Sequence, residues 1–206
     1  MSGIFLRAYF RNQFEMNENE LIKLILQGES DKFRIFVEKY RQMVFRTCMG
    51  FVHNKEDADD LTQEVFIQAY RSLPDFKMKS AFSTWLYRIA VNASLNKVRR
   101  SGRISFIDRI ESLFGSDSPG AGQLFDTDDP ENIIIKKEHS QWLQRALDSL
   151  PEKQRTAIVL SKYDDLSQKE IAEIMKTSEG AVEALLHRAK KNLREKLSGR
   201  IPKKNK

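Results

Sequence analysis

The sequence predicts an all-α protein of two small helical domains joined by a flexible acidic linker. Two observations carry that expectation. On both sides of the chain the apolar residues recur at helical spacing, while residues 101–132 are broken by Gly102, Gly115, Pro119, Gly120, Gly122 and Pro130 with Ser, Asp and Thr between them. Charge divides the same way. Residues 1–104 carry 17 basic and 12 acidic side chains (+5), residues 105–139 carry 3 and 8 (−5), and residues 140–206 carry 15 and 9 (+6). Two basic blocks on one tether suit a polyanion held at two places. The boundaries expected are a leader at 1–16, a first domain at 17–103, a linker at 104–138 and a second domain at 139–206.

Hydrophobic content of 40% and charged content of 31% are those of an ordinary soluble chain. No apolar run is long enough to cross a bilayer, so direct membrane insertion is not expected. Arg7 and Arg11 interrupt any signal-peptide core in the leader, which favours a cytoplasmic location. The single cysteine, Cys48, sits in an apolar helical pattern and reads as a small buried hydrophobe.

The first helix is expected over Asn19–Gln27 on Leu21, Ile22, Leu24, Ile25 and Leu26, stopped by Gly28. Ser30 or Asp31 then caps a helix built on Phe33, Phe36, Val37, Tyr40, Val44 and Phe45, reaching Phe51. His53-Asn54-Lys55 reads as a turn, with His53 at the surface. From Glu56 to Leu73, the residues Leu61, Val65, Phe66, Ala69, Tyr70 and Leu73 mark a buried face. Asp57, Asp59, Asp60, Gln63, Glu64 and Gln68 leave an acidic, amide-rich outer face. Acids near a helix N-terminus suit the dipole, and the same face suits a basic partner. Pro74 ends this helix.

The stretch from Phe82 to Arg100 is the most informative. Leu86, Ile89, Ala90, Ala93 and Val98 make an apolar face, and Thr84, Arg88, Asn92 and Asn96 recur every fourth residue as a polar stripe running into Arg99, Arg100 and Arg103. Trp85 lies beside the stripe. A basic, amide-rich stripe with aromatics is equipment for phosphates and unstacked bases, although a solvated face with a core tryptophan would look alike. The preceding Lys77 and Lys79, near Phe76 and Phe82, would suit a loop handling a nucleotide, although an ordinary solvated turn would look alike.

In the second block, helices are expected over Glu131–Leu150 and from Pro151 through Tyr163. Ser167-Gln168-Lys169-Glu170 is a capping box for a short helix. After Lys176-Thr177-Ser178 a basic helix runs to Leu197. A short capped helix, a turn and a longer basic helix is the helix-turn-helix pattern. In that geometry Ser178, Glu179, Glu183, Ala184 and His187 would meet base edges, and Arg188, Lys190, Lys191 and Arg194 would meet phosphates. Nothing resembles a phosphate-cradling loop or a metal-ligand set, so neither a cofactor nor enzymatic chemistry is expected.

Three of these stretches together resemble a family. Asp57-Ala58-Asp59-Asp60-Leu61-Thr62-Gln63-Glu64-Val65-Phe66 is similar to the core-polymerase-binding helix of bacterial sigma factors. Phe82-Ser83-Thr84-Trp85-Leu86-Tyr87-Arg88-Ile89-Ala90-Val91-Asn92 resembles the promoter-melting helix of the extracytoplasmic-function (ECF) group of the sigma-70 family. Leu150-Pro151-Glu152-Lys153-Gln154-Arg155 and Leu166-Ser167-Gln168-Lys169-Glu170-Ile171-Ala172 resemble the start and the helix-turn-helix of sigma region 4. The resemblance implies region 2 and region 4 without the intermediate domain of housekeeping sigmas. It places Asp59, Asp60, Gln63, Glu64 and Gln68 on the clamp helices of the polymerase β′ subunit. It assigns Lys77, Lys79 and Ser80 to a loop that captures a flipped −10 base, and Trp85, Arg88, Asn92, Asn96, Arg99 and Arg100 to the duplex edge and single strand. Region 4 would read the −35 element through Ser178, Glu179, Glu183, His187, Arg188 and Lys191 and touch the β flap. The chain departs from many relatives at Glu183-Ala184-Leu185, where Glu accepts from cytosine but cannot grip phosphate, which leaves Arg188 or Lys191 to carry more of the contact.

The implied function is therefore initiation: binding core RNA polymerase, directing it to promoters and opening the −10 region. Many members of the group are held by an anti-sigma factor, and the resemblance admits such a partner without naming one. A helix-turn-helix regulator acting without core polymerase is the alternative, but it leaves Asp57–Leu73 and the Trp85–Arg100 stripe without a purpose.

Overall fold

The computed structural model describes residues 17–112 and 141–198, with side chains described outside 101–112. The leader at 1–16, residues 113–138 of the linker expected at 104–138, and residues 139–140 and 199–206 of the second domain lie outside the described residues. The described elements are α1 (Glu18–Leu26), α2 (Phe33–Val52), α3 (Lys55–Ser72), α4 (Phe82–Ser112), α5 (residues 141–148), α6 (Glu152–Lys162), α7 (Gln168–Met175) and α8 (Glu179–Leu197).

Local chemistry sets most boundaries. The Asn17 side chain caps α1 by accepting from the Asn19 N–H, and Gly28, at φ 110°, lets the chain leave. Ser30 does not cap α2, because Ser30–Lys32 form a 3-10 turn that feeds directly into it. His53, in the left-handed region, ends α2, and Asn54 caps α3 through the Asp57 N–H. Pro74 sits in the 3-10 turn Leu73–Asp75 that closes α3. The capping box at Ser167 and Glu170 forms in both directions, and Ser178 caps α8 through the Ala181 N–H. Helix α4 continues to Ser112, past the boundary expected at 103. One glycine costs a helix interior about 1 kcal/mol, which a helix already nucleated tolerates, and the next proline is Pro119.

Helices α1–α4 enclose a core around Ile22, Phe36, Val44, Leu61, Val65, Leu73, Phe82 and Leu86, all nearly inaccessible. Its centre is aromatic: the Phe82 ring stacks on Phe36 with centroids 4.1 Å apart and meets Tyr40, Trp85 and Phe76 at 5.6, 5.4 and 5.9 Å. The second core, around Leu147, Val159, Leu160, Ile171, Val182 and Leu186, extends beyond α5–α8. Phe51, Tyr87 and Val91 of the first half are buried in it. The two halves are packed on each other.

That joint corrects the reading of His53 as a surface residue. Its side chain is 8% exposed, with Nε2 3.4 Å from Asp148 Oδ1. Burial of Asp148 works to raise its pKa, but His53 and Arg155 prevail and hold the carboxyl below its usual range. Arg155, 3% exposed, donates to Asp148 and to the Phe51 carbonyl across the joint.

Asp164, in the turn between α6 and α7, accepts from the Thr47 hydroxyl at 2.8 Å and lies 3.7 Å from Arg46 Nε. Burial pushes its carboxyl up to about 6, opposed by Thr47 and Arg46 and reinforced by Asp165. Tyr87 and Cys48 also feel its charge. The folded pKa is above the unfolded one, so this group favours folding at low pH, and that contribution is lost as pH rises through about 6. Asp164→Asn keeps the acceptor for Thr47 and removes the buried charge. It is expected to raise the melting temperature at pH 7.5 by several degrees, a gain of about 2 kcal/mol, that shrinks steadily toward pH 4. A gain independent of pH would show that the carboxylate is not the cause.

Candidate nucleic-acid interface

Four surfaces expected from the sequence can be placed. On α3, Asp60, Gln63, Glu64 and Gln68 are exposed and Asp59 is half-buried, 3.8 Å from Arg41. Asp57 is engaged with Lys97 at 2.7 Å. In the midst of this polar face stands Ile67, 52% exposed. The sequence reading missed it. Its signal was an aliphatic residue on the side of the helix where Asp60, Gln63 and Glu64 recur at i, i+3 and i+4. An apolar centre with an acidic rim is the anatomy of a protein-binding patch.

The loop between α3 and α4 is held by the buried rings of Phe76 and Phe82 at its two ends, and Met78 turns it through a positive φ of 54°. Lys77 and Lys79 point outward. A pocket of about 450 Å³ opens beside it, lined by Met78, Lys79, Ser80, Ala81 and Phe82, and on the far side by Asn17, Glu18 and Asn19. Lys77 is outside this lining. The α1 residues were not anticipated, because sequence distance hides that α1 and the loop meet. Glu18 is fixed by Lys39, 2.6 Å away, and by the Tyr40 hydroxyl. Burial first, and then this carboxylate, raise the Tyr40 pKa.

Along α4, Trp85 is half-buried, its ring 4.9 Å from Phe76 and 5.4 Å from Phe82, so it packs against the core with part of its surface open, and it is outside the pocket lining. Asn92, Asn96 and Arg100 are exposed. Arg103 has no described side chain, and Arg88 and Arg99 are occupied by the second half. Arg88 donates to the Glu173 and Ile174 carbonyls at 2.7 and 3.2 Å, and Arg99 forks onto Glu152 at 2.5 and 2.6 Å. Glu152 is held below the usual carboxylate range by that hydrogen bond.

On α8, Ser178, Glu179, Glu183, His187, Arg188 and Lys191 are all exposed, while Val182, Leu186 and Ala189 face the core. Lys191 lies 4.0 Å from Glu195. Helix α7 ends at Lys176, in the left-handed region, and Thr177 alone separates it from the cap of α8. This is a helix-turn-helix with the N-terminal half of its second helix open.

Comparison with known proteins agrees with this geometry. Residues 36–104 match the model of sigma-70 region 2, and residues 140–193 match that of sigma-70 region 4. The ECF RNA polymerase sigma factor SigW of Bacillus subtilis is 33% identical over 185 residues, covering 89% of this chain and 98% of SigW. The chain is an ECF sigma factor. The ECF RNA polymerase sigma-E factor of Escherichia coli K12 is 34% identical over 183 residues, covering 89% of this chain and 95% of sigma-E. The sigma factor RpoE of Bartonella quintana, solved in complex with the anti-sigma factor NepR, shares the fold, with a TM-score of 0.53 at 21% identity over 82% of this chain and 98% of that one.

This sigma factor thus directs RNA polymerase, and the reading as a regulator acting without core is not favoured. Among the described residues, no helix is long and apolar enough to cross a membrane, and no group of three or more His, Cys, Asp or Glu is placed to hold a metal ion.

Proposed function

We propose that this sigma factor docks on the β′ clamp helices of core RNA polymerase through Asp59, Asp60, Gln63, Glu64 and Gln68 of α3, with Ile67 at the centre. It then takes an extruded −10 base into the pocket beside Lys79 and Ser80. Trp85, Asn92, Asn96 and Arg100, with Arg88 and Arg99, hold the unpaired strand and the duplex edge, and Lys77 adds charge for its backbone. Region 4 reads the −35 element through Ser178, Glu179, Glu183, His187, Arg188 and Lys191 and touches the β flap. The protein works in the cytoplasm as a non-catalytic initiation factor, and an anti-sigma factor is a further partner.

The observation that supports this reading most directly is the pocket itself. It opens between a lysine-bearing loop and the start of α1, with Phe82 among its lining residues. Unstacking a base costs a few kcal/mol, which enclosure and aromatic contact must offset.

Run-off transcription from a genomic promoter library, with purified bacterial core polymerase, tests the whole reading. Discrete new start sites sharing two motifs at fixed spacing are the expected result, and core binding without new transcripts from any bacterial core would count against it. Trp85→Ala is expected to reduce permanganate-reactive open complex about tenfold, within the range of one lost base-stacking contact, while closed-complex formation changes little. Equal loss of both would make Trp85 a core residue and nothing more.

A further inference from the structure

We propose that Met78 is the side chain against which the extruded −10 base lies, and that the loop before α4 keeps a left-handed backbone there to present it. This rests on the reading of the pocket as the site of that base.

The backbone singles Met78 out. Among the described residues, those other than glycine with a positive φ are His53, Met78, Asp165 and Lys176. His53 and Lys176 end α2 and α7, where a left-handed residue closes the helix. Asp165 lies in the turn between α6 and α7, and aspartate tolerates this region through local hydrogen bonds. Met78 ends no helix, and its side chain has no strong polar group to offer the backbone. At φ 54° its Cβ crowds the following carbonyl, a strain that glycine would avoid. Such strain persists where the surroundings impose it, and it gathers at ligand sites.

The pocket shows what a methionine adds. Its polar lining is Asn17, Glu18, Asn19, Lys79 and Ser80. Those groups suit the edge of a base or its phosphate, but an unstacked base also has two apolar faces that need a partner. Phe82 is 2% exposed and already enclosed by other rings, and Ala81 brings a single methyl. Met78 is half-buried: it packs against the core of the first half and also lines the pocket. It is the sizeable apolar side chain of the lining with surface left to give. Its unbranched, polarisable thioether makes favourable contacts with aromatic rings and adapts to the ring laid on it. Lys77 and Lys79, on either side of it, are exposed, as charges that meet a nucleic-acid backbone must be.

The test uses holoenzyme assembled with core polymerase on a promoter taken from the run-off library, with an abasic residue placed at each non-template position of the −10 region in turn. On the intact promoter, Met78→Gly is expected to lower permanganate-reactive open complex about fivefold, the size of one sulfur–ring contact. Met78→Leu keeps the apolar bulk and is expected to stay within about twofold of the parent. At one abasic position Met78→Gly is expected to cost nothing further, because both changes remove the same contact. Should Met78→Gly not fold by circular dichroism, Met78→Asn takes its place, since asparagine tolerates left-handed backbone and lacks the apolar reach. A loss that is the same at every abasic position makes Met78 a structural residue and overturns the proposal, and so does a Met78→Leu as damaging as Met78→Gly. Failure of the pocket reading is separable. Ala81→Phe puts a ring into the pocket and is expected to couple to the same abasic position. Coupling of Ala81→Phe without coupling of Met78→Gly overturns the role of Met78 alone, and coupling of neither overturns the pocket.

Discussion

Replacing Asp60 and Glu64 together by lysine is expected to lower the affinity of this sigma factor for core RNA polymerase by roughly 100-fold or more. Both side chains are exposed, and they lie beyond the first turn of α3, where the helix dipole has little hold on them. The acids of α3 that the fold itself uses are others: Asp57 pairs with Lys97 and Asp59 faces Arg41. The double reversal therefore replaces attraction by repulsion at a basic partner while leaving stability within about 0.5 kcal/mol. Titration of labelled protein against core polymerase, beside a thermal melt of the free chain, checks both halves of the statement. Unaltered affinity with an unaltered melt would remove this face from the interface.

The second large effect is structural. Phe82→Ala is expected to cost about 3–5 kcal/mol, a large share of the 5–15 kcal/mol that holds a typical domain. Phe82 is inaccessible to solvent, stacks on Phe36, and joins Tyr40, Phe76 and Trp85 into one aromatic cluster. Removing it leaves a cavity among rigid rings that cannot collapse to fill it. It also removes one of the residues that line the pocket. Near-ultraviolet circular dichroism and chemical denaturation should show region 2 losing its fixed packing, with core binding and −10 melting lost together. A cost below about 1 kcal/mol would mean the cluster can repack around the gap, an outcome more typical of conservative core swaps.

These predictions differ in how much of them the sequence could supply. The acidic face of α3 was legible because its evidence is local. Buried and exposed positions alternate at 3.6-residue spacing, and Asn54 and Pro74 mark the ends. The same holds for the capping box at Ser167 and the exposed positions of α8 from Glu179 to Lys191. Caps, prolines and periodicity are interactions between near neighbours in the chain, so residue order alone encodes them.

What lies across the chain was decided by tertiary structure. Periodicity says that a face is apolar or polar, not what covers it. The stripe of Arg88, Asn92, Asn96 and Arg99 was read as one surface. Packing leaves its amides exposed, but places Arg88 on the carbonyls of a helix 85 and 86 residues away in sequence and Arg99 on a glutamate 53 away. His53 carries no partner at ligand spacing, yet it is buried because Asp148 of the other half closes over it. Asn17, Glu18 and Asn19 line the pocket because α1 folds back against the loop before α4. The sequence by itself determined the helices, most of their caps, the family and which helix faces are polar or apolar. Tertiary structure alone decided which of those faces the protein turns on itself, because short-range propensity carries no information about contacts between groups tens of residues apart.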